Sequence, residues 1–241
     1  MSIKNNNMWM FGLVLFTVTV VALSTAQSTD PYDKLADHWF NKCNNETKGT
    51  VAFDKLYSNS VEFKRYLKYT FKFIPGEKKV FCDKERDILK KRMQELTSNM
   101  RPCLPQKEKF FEQFIYDSFK EVLHFLCHNN GEHIDAFFST RSSECRNKLF
   151  NSENPNLGNC FSGIFRPASG LNKTVLCSDY GVVKKCFAEA LTQNCPADGG
   201  FKKLNEDFFS YASKPCSGCA FYINSLLLTV SILASYIFSR K

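Results

Sequence analysis

Eleven cysteines, the first of them Cys43, constrain this chain of 241 residues more than any other feature. Thiols at that density pair in an oxidising compartment and stay reduced in the cytosol, so their spacing reads as a disulfide framework. The amino terminus agrees with that compartment. One positive charge, Lys4, precedes an uncharged, mostly apolar run from Met8 to Leu23, and Ser24 and Ala26 stand at the two positions a signal peptidase reads. Residues 1–26 are therefore expected to be a signal peptide, cleaved after Ala26. In a secreted chain the sequons Asn45-Glu46-Thr47 and Asn172-Lys173-Thr174 are competent acceptors, which predicts glycans at Asn45 and Asn172, both facing solvent.

Between the cysteines the apolar residues recur at helical spacing. Phe111, Phe114, Ile115, Phe119, Val122, Leu123 and Leu126 form one stripe of the segment 110–126, while Glu112, Gln113, Asp117, Lys120 and Glu121 fill the opposite face. Val80, Phe81, Ile88, Leu89, Met93 and Leu96 repeat the pattern ahead of a stop at Arg101-Pro102, and Asn129-Asn130-Gly131 supplies residues that tolerate a left-handed cap. No alternating run bounded by hairpin signals occurs, so the fold class expected is all-α. The segment 151–173, scattered with Gly, Pro, Ser and Asn, reads as a connector. On its two sides the cysteines repeat faintly. Cys82, Cys103 and Cys127 are separated by 20 and 23 residues, and Cys177, Cys195 and Cys216 by 17 and 20. Each triplet frames a helix, a proline turn (Pro105, Pro196) and a Phe-rich helix, a pattern that either duplication or convergent spacing produces. Antiparallel helices bring the outer cysteines together, which predicts bridges Cys82–Cys127 and Cys177–Cys216 in a bundle of two related helical hairpins. The organisation expected is a helical segment over 27–79, a cysteine-rich helical domain over 80–216 and a membrane-directed tail over 217–241.

The stretch EKFFEQFIYDSFKEVLHFLCHNNGEHIDAFF (108–138), followed by Cys145, Cys160, Cys177, Cys186, Leu191, Cys195 and Cys216, resembles the insect 27 kDa haemolymph glycoprotein family. Phe125-Leu126-Cys127-His128 with Gly131-Glu132 is the most specific piece, and the likeness covers about 80–216. It implies an extracellular, cysteine-rich glycoprotein of body fluid with no established enzymatic activity and no agreed ligand. Two departures stand out: the segment between Cys160 and Cys177 is short, and the chain runs past Cys216 into an apolar tail.

That tail, Ala220 to Phe238, is 19 uncharged residues, long enough to cross a hydrocarbon core with Arg240 and Lys241 on the cytoplasmic side. It also fits a glycolipid-anchor signal: Ser217-Gly218-Cys219 are small, a spacer runs from Gly218 to Ser225, and an apolar stretch from Leu226 to Phe238. Cysteine parity favours the anchor. Attachment at Ser217 removes Cys219 and leaves Cys43, Cys82, Cys103, Cys127, Cys145, Cys160, Cys177, Cys186, Cys195 and Cys216 for five bridges. The location expected is the outer cell surface, glycolipid-anchored in preference to single-span, with release to haemolymph if the tail is lost.

Charge narrows the function classes little. Setting aside Lys4, Arg240 and Lys241, 29 basic residues face 24 acidic ones, and Lys90-Lys91-Arg92 reads as a solvated helix face, so no nucleic-acid partner is expected. His124, Cys127, His128, Glu132 and His133 gather metal-ligand residue types, but a bridged Cys127 has no thiolate to offer, and a structural role is expected. Cys216-Ser217-Gly218-Cys219 lacks the strand–helix setting of a redox motif. Neither a nucleophile elbow, a zinc-protease signature nor a phosphate loop is present. No catalytic residue, metal or cofactor is therefore assigned, and the chain reads as non-enzymatic. Its 24 phenylalanines leave one opening for a ligand: Phe110, Phe111, Phe114, Phe119, Phe125, Phe137 and Phe138 are candidates to line an apolar cavity for a lipid or other hydrophobic molecule. The alternative is a protein-interaction ectodomain without a small-molecule ligand, its protein partner unknown.

Overall fold

The computed structural model describes residues 30–71, 74–150, 160, 171–195 and 199–217. The expected signal peptide, most of the segment expected to be a connector, Pro196, Cys219 and the apolar tail lie outside the described residues. Nine α-helices and no strand occur among the described residues: α1 (Asp30–Thr47), α2 (Val51–Phe71), α3 (Ile74–Val80), α4 (Arg86–Met100), α5 (Phe110–Leu126), α6 (Glu132–Phe138), α7 (Thr140–Phe150), α8 (Lys173–Asn194) and α9 (Gly199–Ala212). The architecture is an all-α bundle stapled by five disulfides.

Helix α5 is the centre of the bundle because its apolar arc is too wide for one neighbour. Phe111, Ile115, Phe119, Val122, Leu123, Phe125 and Leu126 are all buried, with α4 packed on one side and α9 on the other. Phe119 meets Phe63 of α2 edge-on, Phe111 stacks against Trp39 of α1, and Phe125 meets Phe208 of α9. The core is continuous across residue 79: Trp39, Phe63, Leu67 and Phe71 of the amino-terminal helices belong to the same buried cluster as α4 and α5.

Chain punctuation follows local chemistry. Pro102 sits in the 3-10 turn Arg101–Cys103 that ends α4, where its missing N–H costs no helical bond. Asn129, Asn130 and Gly131 turn the chain from α5 into α6 with φ of 44°, 58° and 83°, the left-handed region these residues enter at least cost. Between α3 and α4 the chain takes a π-helical turn, Phe81–Glu85, which breaks the 3.6-residue register. Val80 is exposed although the expected stripe includes it, because on a regular helix it lies about half a turn round from Leu89, while Phe81 and Cys82 are buried. The Tyr66 hydroxyl donates to Glu85 in this turn, and Arg92 lies 4.2 Å over the Tyr66 ring, so one residue of the basic run is used for packing. Burial, reinforced by Glu85, pushes the Tyr66 phenol above its ordinary range.

The disulfides tie this sequence of helices in two crossed pairs. Cys43 joins Cys103 while Cys82 joins Cys127, and Cys145 joins Cys195 while Cys177 joins Cys216. Cys82–Cys127 and Cys177–Cys216 are the two bridges that the antiparallel-hairpin reading expects. The fifth, Cys160–Cys186, fastens the connector to α8.

Candidate functional site

Two clusters of polar and titratable groups stand at helix junctions. The first is built on the turn between α5 and α6 and closed by α9. The His133 ring lies flat on Phe125, centroids 4.1 Å apart, and His128 stacks beyond it at 5.4 Å. His133 Nδ1 is 2.7 Å from the Phe125 carbonyl oxygen. A carbonyl only accepts, so Nδ1 carries the hydrogen and Nε2 is left facing Glu132 Oε1 and Asp207 Oδ2, each 3.9 Å away. His128 sets Nδ1 at 3.1 Å from the Tyr211 hydroxyl and Nε2 at 3.5 Å from Glu132. Tyr211 also meets the His124 ring edge-on and carries Lys214 over its face at 4.1 Å, with Lys214 in turn bonded to Glu121. Asp207, Tyr211 and Lys214 come from the α9 region, about 80 residues further along the chain, and no local sequence signal points to them.

This arrangement locks α9 against α5 and α6. Cys127 is bonded to Cys82 and offers no thiolate. His128 and His133 lie nearly parallel, at 18°, so their in-plane lone pairs run side by side without meeting at one point. Among the described residues no group of three or more His, Cys, Asp and Glu side chains is disposed around a metal position.

The second cluster lies where α1, the turn before α5 and the start of α8 meet. Glu108, only 2% exposed, pairs with Lys42 of α1 and accepts from the Leu171 backbone N–H at 3.2 Å. His38, one turn before Lys42, is half-buried beside them. Burial, then the Lys42 ammonium, hold the His38 imidazole below its ordinary range, against a smaller opposing pull from Glu108. The sequence places Glu108 between Lys107 and Lys109 like any solvated carboxylate, and its burial is the departure from that reading.

The two sequons border this junction. Asn45 follows Lys42 by three residues on α1 and is exposed. Asn172, also exposed, caps α8: its Oδ1 accepts from Thr174 N at 2.9 Å and Val175 N at 3.4 Å, leaving the amide nitrogen toward solvent. Ser217 is exposed next to the bridged Cys216.

The candidate cavity phenylalanines are distributed over several partners. Phe111, Phe119, Phe125 and Phe137 are buried, and Phe110, Phe114 and Phe138 pack against the core from its edge. Phe110 touches Phe111, and Phe137 touches both Phe138 and Phe201 of α9. Among the described residues, an aromatic cluster with exposed members lies on α1 and α2: Phe40 meets Phe53 at 5.2 Å, Phe53 stacks on Tyr57 at 5.8 Å, and Val61 continues the face one turn on.

Fold and sites together define a disulfide-stapled, all-α domain whose polar clusters join helices. Residues 77–216, more than half of the chain, match the model of a family described as Protein of unknown function (DUF1397), and the chain belongs to that family. No curated protein and no solved structure matches it.

Proposed function

We propose that this chain is an extracellular, non-enzymatic glycoprotein held on the outer cell surface, a tethered relative of the insect 27 kDa haemolymph glycoproteins. The observation that carries this reading is the complete pairing of the ten cysteines from Cys43 to Cys216. Such a fold forms and persists where thiols are oxidised. Exposure of Asn45, Asn172 and Ser217 supports two glycans and a glycolipid at the positions the chain offers for them. The test is treatment of intact expressing cells with a phosphatidylinositol-specific phospholipase. Release of a glycosylated protein ending at Ser217 is the expected result, and retention of a form that still carries Arg240 and Lys241 overturns the anchor.

As its activity we propose binding of a lipid or other hydrophobic ligand by the phenylalanines of α5 and α6, Phe110, Phe111, Phe114, Phe119, Phe125, Phe137 and Phe138. Support comes from the concentration of phenylalanine on these two helices. Solvent extraction of the protein purified without detergent should yield a stoichiometric lipid, and an empty extract removes this activity. The second reading, a protein-interaction ectodomain, is favoured by the outer face of α1 and α2, where Phe40 is 38% exposed, Val61 46% and Tyr57 48%. Tyr57→Ser with Val61→Ser should then abolish capture of a surface partner by cross-linking and leave any lipid content unchanged.

A further inference from the structure

We propose that the His38–Lys42–Glu108 junction is an acid-sensitive latch that holds α1 and the start of α8 against the central helix turn at neutral pH and loosens on acidification. The geometry is one buried carboxylate shared by three elements. Glu108 is anchored in the short turn before α5, its Oε2 pairs with Lys42 of α1, and its Oε1 accepts from Leu171 N–H at the entrance to α8. Lys42 is 13% exposed and Glu108 3% by side chain, so water screens the pair poorly.

His38 stands on the same face of α1 as Lys42, four residues earlier. The charges acting on it are Lys42 from its own helix and Glu108 from the turn. Arg101, from the 3-10 turn packed on α1, is engaged with Glu112 at 3.2 Å. At neutral pH the junction holds one cation and one anion. Protonation of His38 adds a second cation beside Lys42 with a single buried carboxylate to share, so the closed arrangement is the one that loses.

The sign follows from linkage. A histidine whose pKa is lowered on folding takes up its proton more readily when the junction is open. The stability of the closed state is therefore present above the ordinary value of 6.5 and is lost as pH falls below it. One proton allows at most about a tenfold change in the opening equilibrium per pH unit. Opening remains local, because Cys43–Cys103 keeps the end of α1 attached. What is released is the first turns of α1 and the capped start of α8, the segment that carries the Asn172 acceptor.

The test is amide hydrogen exchange on the full disulfide-bonded protein between pH 7.5 and 5.0, corrected for intrinsic exchange rates. The expected result is a several-fold rise in opening at the Leu171 amide and across residues 36–42, with the His128 turn unchanged, and loss of that pH dependence in His38→Gln. A pH-independent junction, or unchanged acid opening in His38→Gln, overturns the latch. Should His38→Gln not fold, Lys42→Met gives an independent check. Protonated His38 then replaces the missing cation beside Glu108, so acid opening must shrink, and undiminished opening likewise overturns the proposal.

Discussion

At the scale of single residues the chain makes some side chains serve two purposes at once. Asn172 is both a glycan acceptor by sequence and the cap of α8 by geometry, and the two uses engage different atoms of the amide: Oδ1 receives the Thr174 and Val175 N–H groups, while a glycan attaches at nitrogen. Substitution separates them. Asn172→Asp keeps an accepting oxygen and removes the acceptor nitrogen, whereas Asn172→Ala removes both. In unglycosylated, oxidatively refolded protein, urea unfolding should show Asn172→Ala destabilised by about 1 kcal/mol and Asn172→Asp nearly unchanged. In secreted protein both variants should lose the same mass of glycan. Equal stability of the two would mean that the cap contributes nothing. Phe119 belongs to the opposite regime, fully buried and in contact with Phe63, so Phe119→Ala should lower stability by roughly 3–5 kcal/mol. His133 shows what sequence leaves hidden at this scale: its place beside Glu132 is legible, but its contact with Asp207 depends on a helix more than 60 residues away.

At the scale of elements, what was legible depended on how far one regular helix ran. Apart from Phe114 at its edge, the apolar stripe of segment 110–126 is buried on α5, because nothing interrupts its register. The stripe beginning at Val80 fails at its first residue because Val80 lies about 180° round a regular helix from Leu89, so strict periodicity leaves it outside the buried face. Phe125, outside the stripe, is buried because α9 packs on a second side of α5. Helix α8 carries a different irregularity. Gly181 lies in its interior, where a Cβ would meet no atom within 4 Å. Glycine there costs backbone entropy with no close approach to explain it, so Gly181→Ala should raise stability by about 0.5–1 kcal/mol, read as a higher urea midpoint at unchanged slope. A loss of stability instead would indicate that this surface of α8 is covered in the folded protein.

At the scale of the whole molecule, the cysteine order extends the faint repeat into connectivity. Cys43, Cys82, Cys103 and Cys127 pair first with third and second with fourth, Cys145, Cys177, Cys195 and Cys216 cross in the same way with Cys160–Cys186 added between them, and the last helices of the two halves, α5 and α9, pack on one another. This crossing makes α1 part of the first half, although the family match starts only at residue 77. The amino-terminal pair contributes Trp39, Phe63, Leu67 and Phe71 to the common core, the Lys42 partner of Glu108, and Cys43. Cutting the chain to residues 77–216 would therefore expose the face of α4 on which α2 packs and strand Glu108 without its cation. Such a fragment should fail to give a cooperative thermal transition and should bind a hydrophobic dye, while residues 30–217 unfold cooperatively. The bridge alone accounts for part of that difference. Replacing Cys43 and Cys103 together by Ala releases a closed loop with a sequence separation of 60, a loss of about 4 kcal/mol on the loop-entropy view, with the helices still able to dock. The paired replacement should then leave a folded protein of lower urea midpoint, whereas the truncation should leave none. If residues 77–216 fold as stably as the longer chain, the amino-terminal helices are an appendage and the crossed pairing of the first half has no structural consequence.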